Sequence, residues 1–391
     1  MGIKTDLKAH IQYVIILLQM PLKFKEVWLF YAFLQYKNIE SMIKLFPEKT
    51  KENVGIDIGT SAIKIVHLDM ATERPVFKNF AIARLKKGLI QSSNQIIAGK
   101  QTAKILSIAL EKSGISCKNV SFSIPSFASF ISFITIPKVF EGDLESKIKI
   151  EARKYIPVPL SEISLGWELI ENDSKAMEVV SQEKKIKILL MAVAKNVIEK
   201  YEAIARDSKL NLHSIEVEGM SLIRSLIGEE KKTTLLLDIG SRICNILIVS
   251  GGSLRGSRNI DVGGGNFSEA IARSLNIDFV RSETMKREWG MNEAQLSNII
   301  IPVMERITQE LIRMLDLYNK KNPAKPVERI ILSGGTAKLK GVREYLFEKL
   351  GLEVLPGDPW KQVNYERRYD NLLQSFKDEL AISIGLAMKR N

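Results

Sequence analysis

The sequence contains one phrase twice. Residues 54–69 read VGIDIGTSAIKIVHLD, and 181 positions after the first Asp, residues 235–249 read LLLDIGSRICNILIV. Each phrase is an apolar run ending at an Asp (Asp57, Asp238), a turn of small polar residues (Gly59, Thr60 and Ser61; Gly240 and Ser241), and a second apolar run. This is the pattern of a β-hairpin with a small, polar tip. Two such hairpins, one from each half of a chain, can close on a single ligand from opposite sides. At 391 residues the chain exceeds the size at which one core stops growing, so at least two cores are expected.

The residue types at the tips suit phosphate. Glycine lets the backbone approach a ligand closely, and the N–H groups of a tight turn form an anion-binding concavity. The hydroxyls of Thr60, Ser61 and Ser241 add donors. A carboxylate at the end of a buried strand is costly alone but suits a hydrated magnesium ion. A single Asp-Ile-Gly-Thr/Ser would read as an ordinary glycine hairpin; the repetition in register favours a shared nucleotide site. Two further glycine sites follow. RIILSGGTAKLKGVREYLFEKLG, residues 329–351, reads as a buried strand, a turn at Gly334 and Gly335 with Thr336, and an amphipathic helix ended by Gly351. VGGGNFSEAIARSL places Gly263, Gly264 and Gly265 before a helix with Asn266 and Ser268 as capping candidates. That stretch reads either as exposed backbone for a ligand at a helix N-terminus or as a flexible loop plus a cap.

Other chemistries fail at named positions. A P-loop needs a Gly five residues before Gly99-Lys100 and a Ser or Thr after them, where the chain has Asn94 and Gln101. The dinucleotide fingerprint fails because Ser268 stands where a third Gly would follow Gly263–Gly265. Cys117 and Cys244 have no CxxC spacing and suit a reducing compartment as small buried apolar side chains. Only three histidines are present, and no GxSxG elbow, so metal-histidine and Ser-His hydrolase chemistry find no support. A formal charge of +12 comes from Lys and Arg spread along the chain, which fits an anionic membrane surface and no nucleic acid partner.

Residues 1–50 carry two apolar runs, YVIILLQMPL and VWLFYAFL, both shorter than the roughly 18–20 residues needed to cross a bilayer. Three readings stay open: an interfacial segment, a helix packed on the body, or a stretch preceding a start at Met42.

In order, Asp57-Ile-Gly59-Thr60, Asp238-Ile-Gly240-Ser241 and Ser333-Gly334-Gly335-Thr336 resemble the two phosphate motifs and the adenosine motif of the actin-like ATPase superfamily. RSETMKREWG resembles that superfamily's Glu-x-x-Lys adenosine helix, which maps onto Glu283 and Lys286; alone, the two read as an i,i+3 ion pair on a solvated face. Within the superfamily the chain is similar to the PilM family of type IV pilus assembly proteins. IPKVFEGDLESKIKIEARKYIPVPLSEISLGWELI resembles that family's inserted subdomain, and KSGISCKNVSFSIPSFASFISFITIP and DELAISIGLAMK are similar too. By its own pattern the segment holds an amphipathic helix from about Asp143, with Leu144, Ile148, Ala152 and Tyr155 on one face, stopped by Pro157 and Pro159.

The resemblance implies an α/β fold with two lobes of duplicated ribonuclease-H-like sheets and an inserted small subdomain. The expected boundaries are lobe one at 51–232, interrupted by a peptide-binding insertion near 77–186, lobe two at 233–370, and a C-terminal helix at 371–391 returning to lobe one. It implies ATP and magnesium, with Asp57 and Asp238 organising the ion through water and Asp238 as the catalytic residue. Gly59, Thr60, Ser61, Gly240 and Ser241 would meet the phosphates, with Gly264 and Gly265 nearby. Glu283, Lys286, Gly334, Gly335 and Thr336 would hold the adenosine. Gly240-Ser241-Arg242-Ile243-Cys244 lacks the second Gly and Thr residues that active members often carry, which implies slow hydrolysis at most. Arg242 reads as a phosphate contact or a solvated charge. The implied function is a cytoplasmic scaffold at the inner membrane that binds the N-terminal peptide of a PilN-like bitopic membrane protein and meets other pilus inner-membrane and motor proteins, with self-association a further option. The alternatives are a sugar or small-molecule kinase of the same fold and an FtsA-like membrane-associated filament.

Overall fold

The computed structural model describes residues 52–85, 99–137, 141–156, 158–170 and 185–390. The expectations for residues 1–50 and for Pro157 lie outside the described residues.

The first five-stranded sheet contains β1 (Glu52–Ile58), β2 (Ala62–Asp69), β3 (Val76–Arg84), β4 (Asn119–Ile124) and β8 (Asn211–Val217), in the order β3-β2-β1-β4-β8. The second contains β9 (Thr234–Ile239), β10 (Cys244–Ser250), β11 (Ser253–Ile260), β12 (Arg329–Ser333) and β13 (Glu353–Pro356), in the order β11-β10-β9-β12-β13. Both begin with an antiparallel meander and end with two strands parallel to the first. The duplication reaches single residues. The second strand of each sheet has a register shift against the third, after His67 in β2 and after Ile248 in β10, each ten residues past its Asp.

Alternation decides what each strand face meets. In β1, Val54, Ile56 and Ile58 enter a core with α1 (Gly99–Ser113) and α3 (Lys195–Asp207), leaving Gly55 and Asp57 on the other face. In β9, Leu235, Leu237 and Ile239 join a core with α5 (Gly264–Leu275), α7 (Ala294–Lys321) and α8 (Val342–Leu350), leaving Leu236 and Asp238 on the other face. Between the sheets lie α4 (Glu218–Leu226) and α9 (Asp370–Ala387), whose Leu222, Leu226, Ala381 and Leu386 share a core cluster with Leu236, Leu247 and Ile331 of the second sheet. The approach is tight enough to require glycine: a Cβ on Gly55 would stand 1.9 Å from Ser383 O, and one on Gly385 the same distance from Ser221 O. Both aspartates therefore lie on inner strand faces, at strand ends that open on one cleft.

A third sheet, in the order β5-β7-β6, is built from β5 (Ser129–Pro137), β6 (Ile163–Ile170) and β7 (Lys185–Ala194). It packs on α2 (Glu141–Ala152) through a core of its own, including Ile134, Ile136, Ile148, Ala152, Ile188 and Leu190. This corrects two expectations. The segment with its own sheet begins at Ser129 and not near 77, because β3 and β4 hydrogen-bond into the first sheet and α1 packs on it. Tyr155 does not continue the buried stripe: it lies past the end of α2 and is exposed, while Ile148 and Ala152 are buried.

Candidate functional site

Both hairpin turns close by the same bond. Gly59 N donates to Ala62 O and Gly240 N to Ile243 O, each at 3.0 Å. Register then places Lys64 opposite Asp57 and Asn245 opposite Asp238. Lys64 Nζ lies 2.7 Å from Asp57 Oδ2, and Ser123 Oγ of β4 donates to Asp57 Oδ1 at 3.0 Å. Burial alone would push the Lys64 ammonium down, but Asp57, by charge and hydrogen bond, raises it above its ordinary value. Asp238 has hydrogen bonds from Ser333 and Asn245 but no cation opposite it. Burial raises it to about 6, against the attraction of Lys64.

A third carboxylate stands between them. Glu218, first residue of α4, accepts from Asn245 Nδ2 at 3.1 Å and from Ser126 N at 3.3 Å. Burial, and then the charges of Asp57 and Asp238, raise it to about 8. Three buried carboxylates thus surround one ammonium, at a pocket also lined by Gly59, Thr60, Ser61, Gly240, Ser241 and Arg242. Arg242 pairs at 3.1 Å with the exposed Asp261, as a surface charge would.

A cavity of about 440 Å³ adjoins this pocket. Its wall includes Ser61, Lys64, Asp238, Gly240, Ser241, Gly264, Gly265, Glu283, Lys286, Gly334, Gly335 and Thr336. The turn after β12 hugs the second hairpin: Gly334 has φ +87°, and a Cβ there would strike Ile239 O at 2.4 Å. Glu283 and Lys286, on α6 (Phe279–Glu288), are no solvated pair. Lys286 is 6% exposed, and its Nζ donates to Gly264 O at 2.8 Å, Ser268 Oγ at 2.9 Å and Glu283 Oε2 at 2.7 Å. Burial would raise the Glu283 carboxyl, but Lys286, Ser268 and Arg287 outweigh it and hold the carboxyl down at about 2.

The glycine loop before α5 behaves differently from the expectation of exposed backbone. Gly264 N donates to Gly240 O at 2.9 Å and Gly265 N to Ser241 O at 2.7 Å, so both groups are consumed in tying α5 to the second hairpin. The cleft gathers every candidate residue, but these two N–H donors are spent. The sequence reading missed Lys64, Ser123, Glu218 and Asn245. Lys64 and Asn245 carry a readable signal, since a hairpin with its turn fixed sets them opposite the aspartates. Ser123 and Glu218 carry none, because their strand and helix are far from either hairpin in sequence.

A family model described as type IV pilus assembly protein PilM matches residues 55–391. The chain belongs to the PilM family. A solved PilM–PilN type IV pilus biogenesis complex is similar at 25% identity with a TM-score of 0.77, covering 88% of this chain and 100% of that one. The ethanolamine utilization protein EutJ of Carboxydothermus hydrogenoformans shares the fold at 17% identity and a TM-score of 0.52, covering 86% of this chain and 89% of EutJ. The cell division protein FtsA of Enterococcus hirae is 24% identical over 350 residues, 78% of each chain. The expected family and the actin-like, two-lobed α/β fold are therefore found. In this PilM-family chain no helix among the described residues is long and apolar enough to cross a membrane.

Proposed function

We propose that the protein is a nucleotide-holding scaffold of the type IV pilus assembly machinery, which binds ATP with magnesium in the cleft and the cytoplasmic N-terminus of a PilN-like membrane protein on its three-stranded sheet. The observation that carries the nucleotide half is the convergence of both Asp-Gly hairpins and the Glu283–Lys286 helix on two adjoining pockets, the larger of ordinary ligand size. The donor set fits the group. Lys64 and the turn hydroxyls suit phosphate oxygens, and Asp57 and Asp238 suit the water shell of magnesium, which prefers to keep several of its waters. Asn245 Oδ1, opposite Asp238, is buried with no hydrogen-bond partner among the described residues, as an acceptor for such a shell would be. Magnesium would supply charge neutralisation for the phosphates and the carboxylates around them; the chain's own residues would hold and orient the pair.

Glu218, keeping its proton up to about pH 8, is a poor base at neutral pH. That leaves Asp238, raised only to about 6, as the candidate base, and the turn Gly240-Ser241-Arg242, without the second Gly and Thr residues, supports a site that holds ATP more than it turns it over. The peptide half rests on the family and on a surface. Trp167 and Leu169 of β6 lie opposite Leu190 and Ile188, on the sheet face that α2 covers elsewhere, yet are 39% and 48% exposed. An apolar peptide segment would complete that face. Anchored by such a partner, a chain of charge +12 would sit at the anionic inner face of the membrane. Coupling of the two ligands requires that lobe closure change the affinity for each.

Calorimetry on the full chain tests both halves. ATP with magnesium should bind, Asp238→Ala should abolish the heat, and Leu169→Asp should abolish binding of the partner's N-terminal peptide while sparing ATP. Absence of ATP binding by the unaltered chain would remove the nucleotide reading and leave the hairpins as architecture.

A further inference from the structure

Cys117, His67 and Glu52 are far apart in sequence and have no metal-ligand spacing, yet the fold brings them together at the start of β1, away from the cleft. Glu52 opens β1, and His67 lies two residues along β2 on the same face, since β1 pairs Glu52 with Asp69 and Val54 with His67. Cys117 precedes β4, the parallel neighbour of β1, and its Sγ stands 3.7 Å from Glu52 O. The ligand atoms of the three side chains all lie within 4.8 Å of one another. His67 Nε2 and Glu52 Oε2 are already 3.0 Å apart.

We infer that Glu52, His67 and Cys117 form a divalent transition-metal site, with zinc the ion its donors suit best. Thiolate, imidazole and carboxylate are together the borderline-soft set that selects zinc over magnesium or calcium. In a tetrahedral site with zinc bonds of 2.0–2.3 Å, donor atoms stand about 3.3–3.6 Å apart, so the three need close by roughly an ångström. Glu52, 43% exposed at its side chain, is free to supply that movement, while His67, 8% exposed, and half-buried Cys117 are held by the sheet. Charge also balances, because one carboxylate and one thiolate neutralise a dication around a neutral imidazole. Binding releases the thiol proton, and the metal replaces the hydrogen bond between His67 and Glu52. Asp69, opposite Glu52, is engaged with Ala71 N at 2.9 Å and Lys78 at 3.4 Å, so the fourth position falls to water.

Cobalt is the probe. Titrating the untagged full chain with Co²⁺ should give a near-ultraviolet thiolate-to-cobalt band saturating at one equivalent, bleached by Zn²⁺ and lost in Cys117→Ser and in His67→Asn. No thiolate band in the unaltered chain would overturn the inference, as would a band that survives Cys117→Ser. A second measurement needs no substitution. Zn²⁺ should slow alkylation of Cys117, followed on its own peptide by mass spectrometry, by about tenfold or more, since a metal-bound thiolate is withheld from reaction. An unchanged rate would overturn it equally.

Discussion

The two hairpins share a backbone and differ in what faces the carboxylate. Turn bond, register and even the later register shift recur, but Asp57 meets an ammonium where Asp238 meets a neutral amide. In the first hairpin the buried charge is neutralised on its own sheet. In the second, burial raises the carboxylate's proton affinity, and the amide that faces it also donates to Glu218 of α4. A duplicated frame has thus been divided: one half carries a permanent internal counter-ion, the other a buried carboxylate with no cation opposite it.

That contrast can be broken most forcefully at Lys64. Lys64→Met leaves Asp57 buried beside no cation and should cost about 3–5 kcal/mol in urea unfolding, whereas Asn245→Leu should cost about 1–3 kcal/mol. Equal losses would mean that the hairpins do not differ electrostatically. Next comes Glu218, whose carboxyl titrates near 8 when folded and near 4.5 when unfolded. Across that window the folded chain binds more protons than the unfolded one, so stability falls as pH rises from about 4.5 to 8. Glu218→Gln should match the native chain at pH 4 and exceed it by about 1–3 kcal/mol at pH 9 in denaturation curves. A smaller effect of opposite sign is expected at Glu283, held down at about 2. Its contribution is complete above about pH 4.5 and is lost as pH falls toward 2, so Glu283→Gln should lower thermal stability by about 1–2 kcal/mol at pH 7, with the deficit shrinking in acid. The smallest change belongs to Arg242→Ala, which breaks only the exposed pair with Asp261 and should cost less than about 0.5 kcal/mol. A loss of ATP affinity in that variant would instead make Arg242 the second hairpin's substitute for Lys64.

The second sheet and the inserted one differ in how readable they were. Strands β9 and β12 announce themselves through unbroken apolar runs ending at Asp238 and Ser333. The insertion was recognisable by its Tyr-Ile-Pro turn but not delimited, because the alternation in β3 and β4 says that they pair without saying with what. Cys117 and His67 likewise read as unrelated single residues until β1 and β4 were paired.

What the sequence by itself determined was local and periodic: two hairpins in register, the alternation that keeps Asp57 on the strand face of Gly55 and Asp238 on that of Leu236, and a glycine turn at Gly334 and Gly335. These follow from neighbours a few residues apart, and a β-strand's two-residue period fixes them. Tertiary structure alone decided which charges are buried together. Glu218 acquires its high proton affinity from residues in both lobes. Lys286 becomes a buried donor only when α6 packs under the glycine loop, and Gly264 and Gly265 lose their free N–H groups only when α5 meets the second hairpin. Desolvation and pairing are relations between distant segments, and they exist only once the chain has brought those segments into contact.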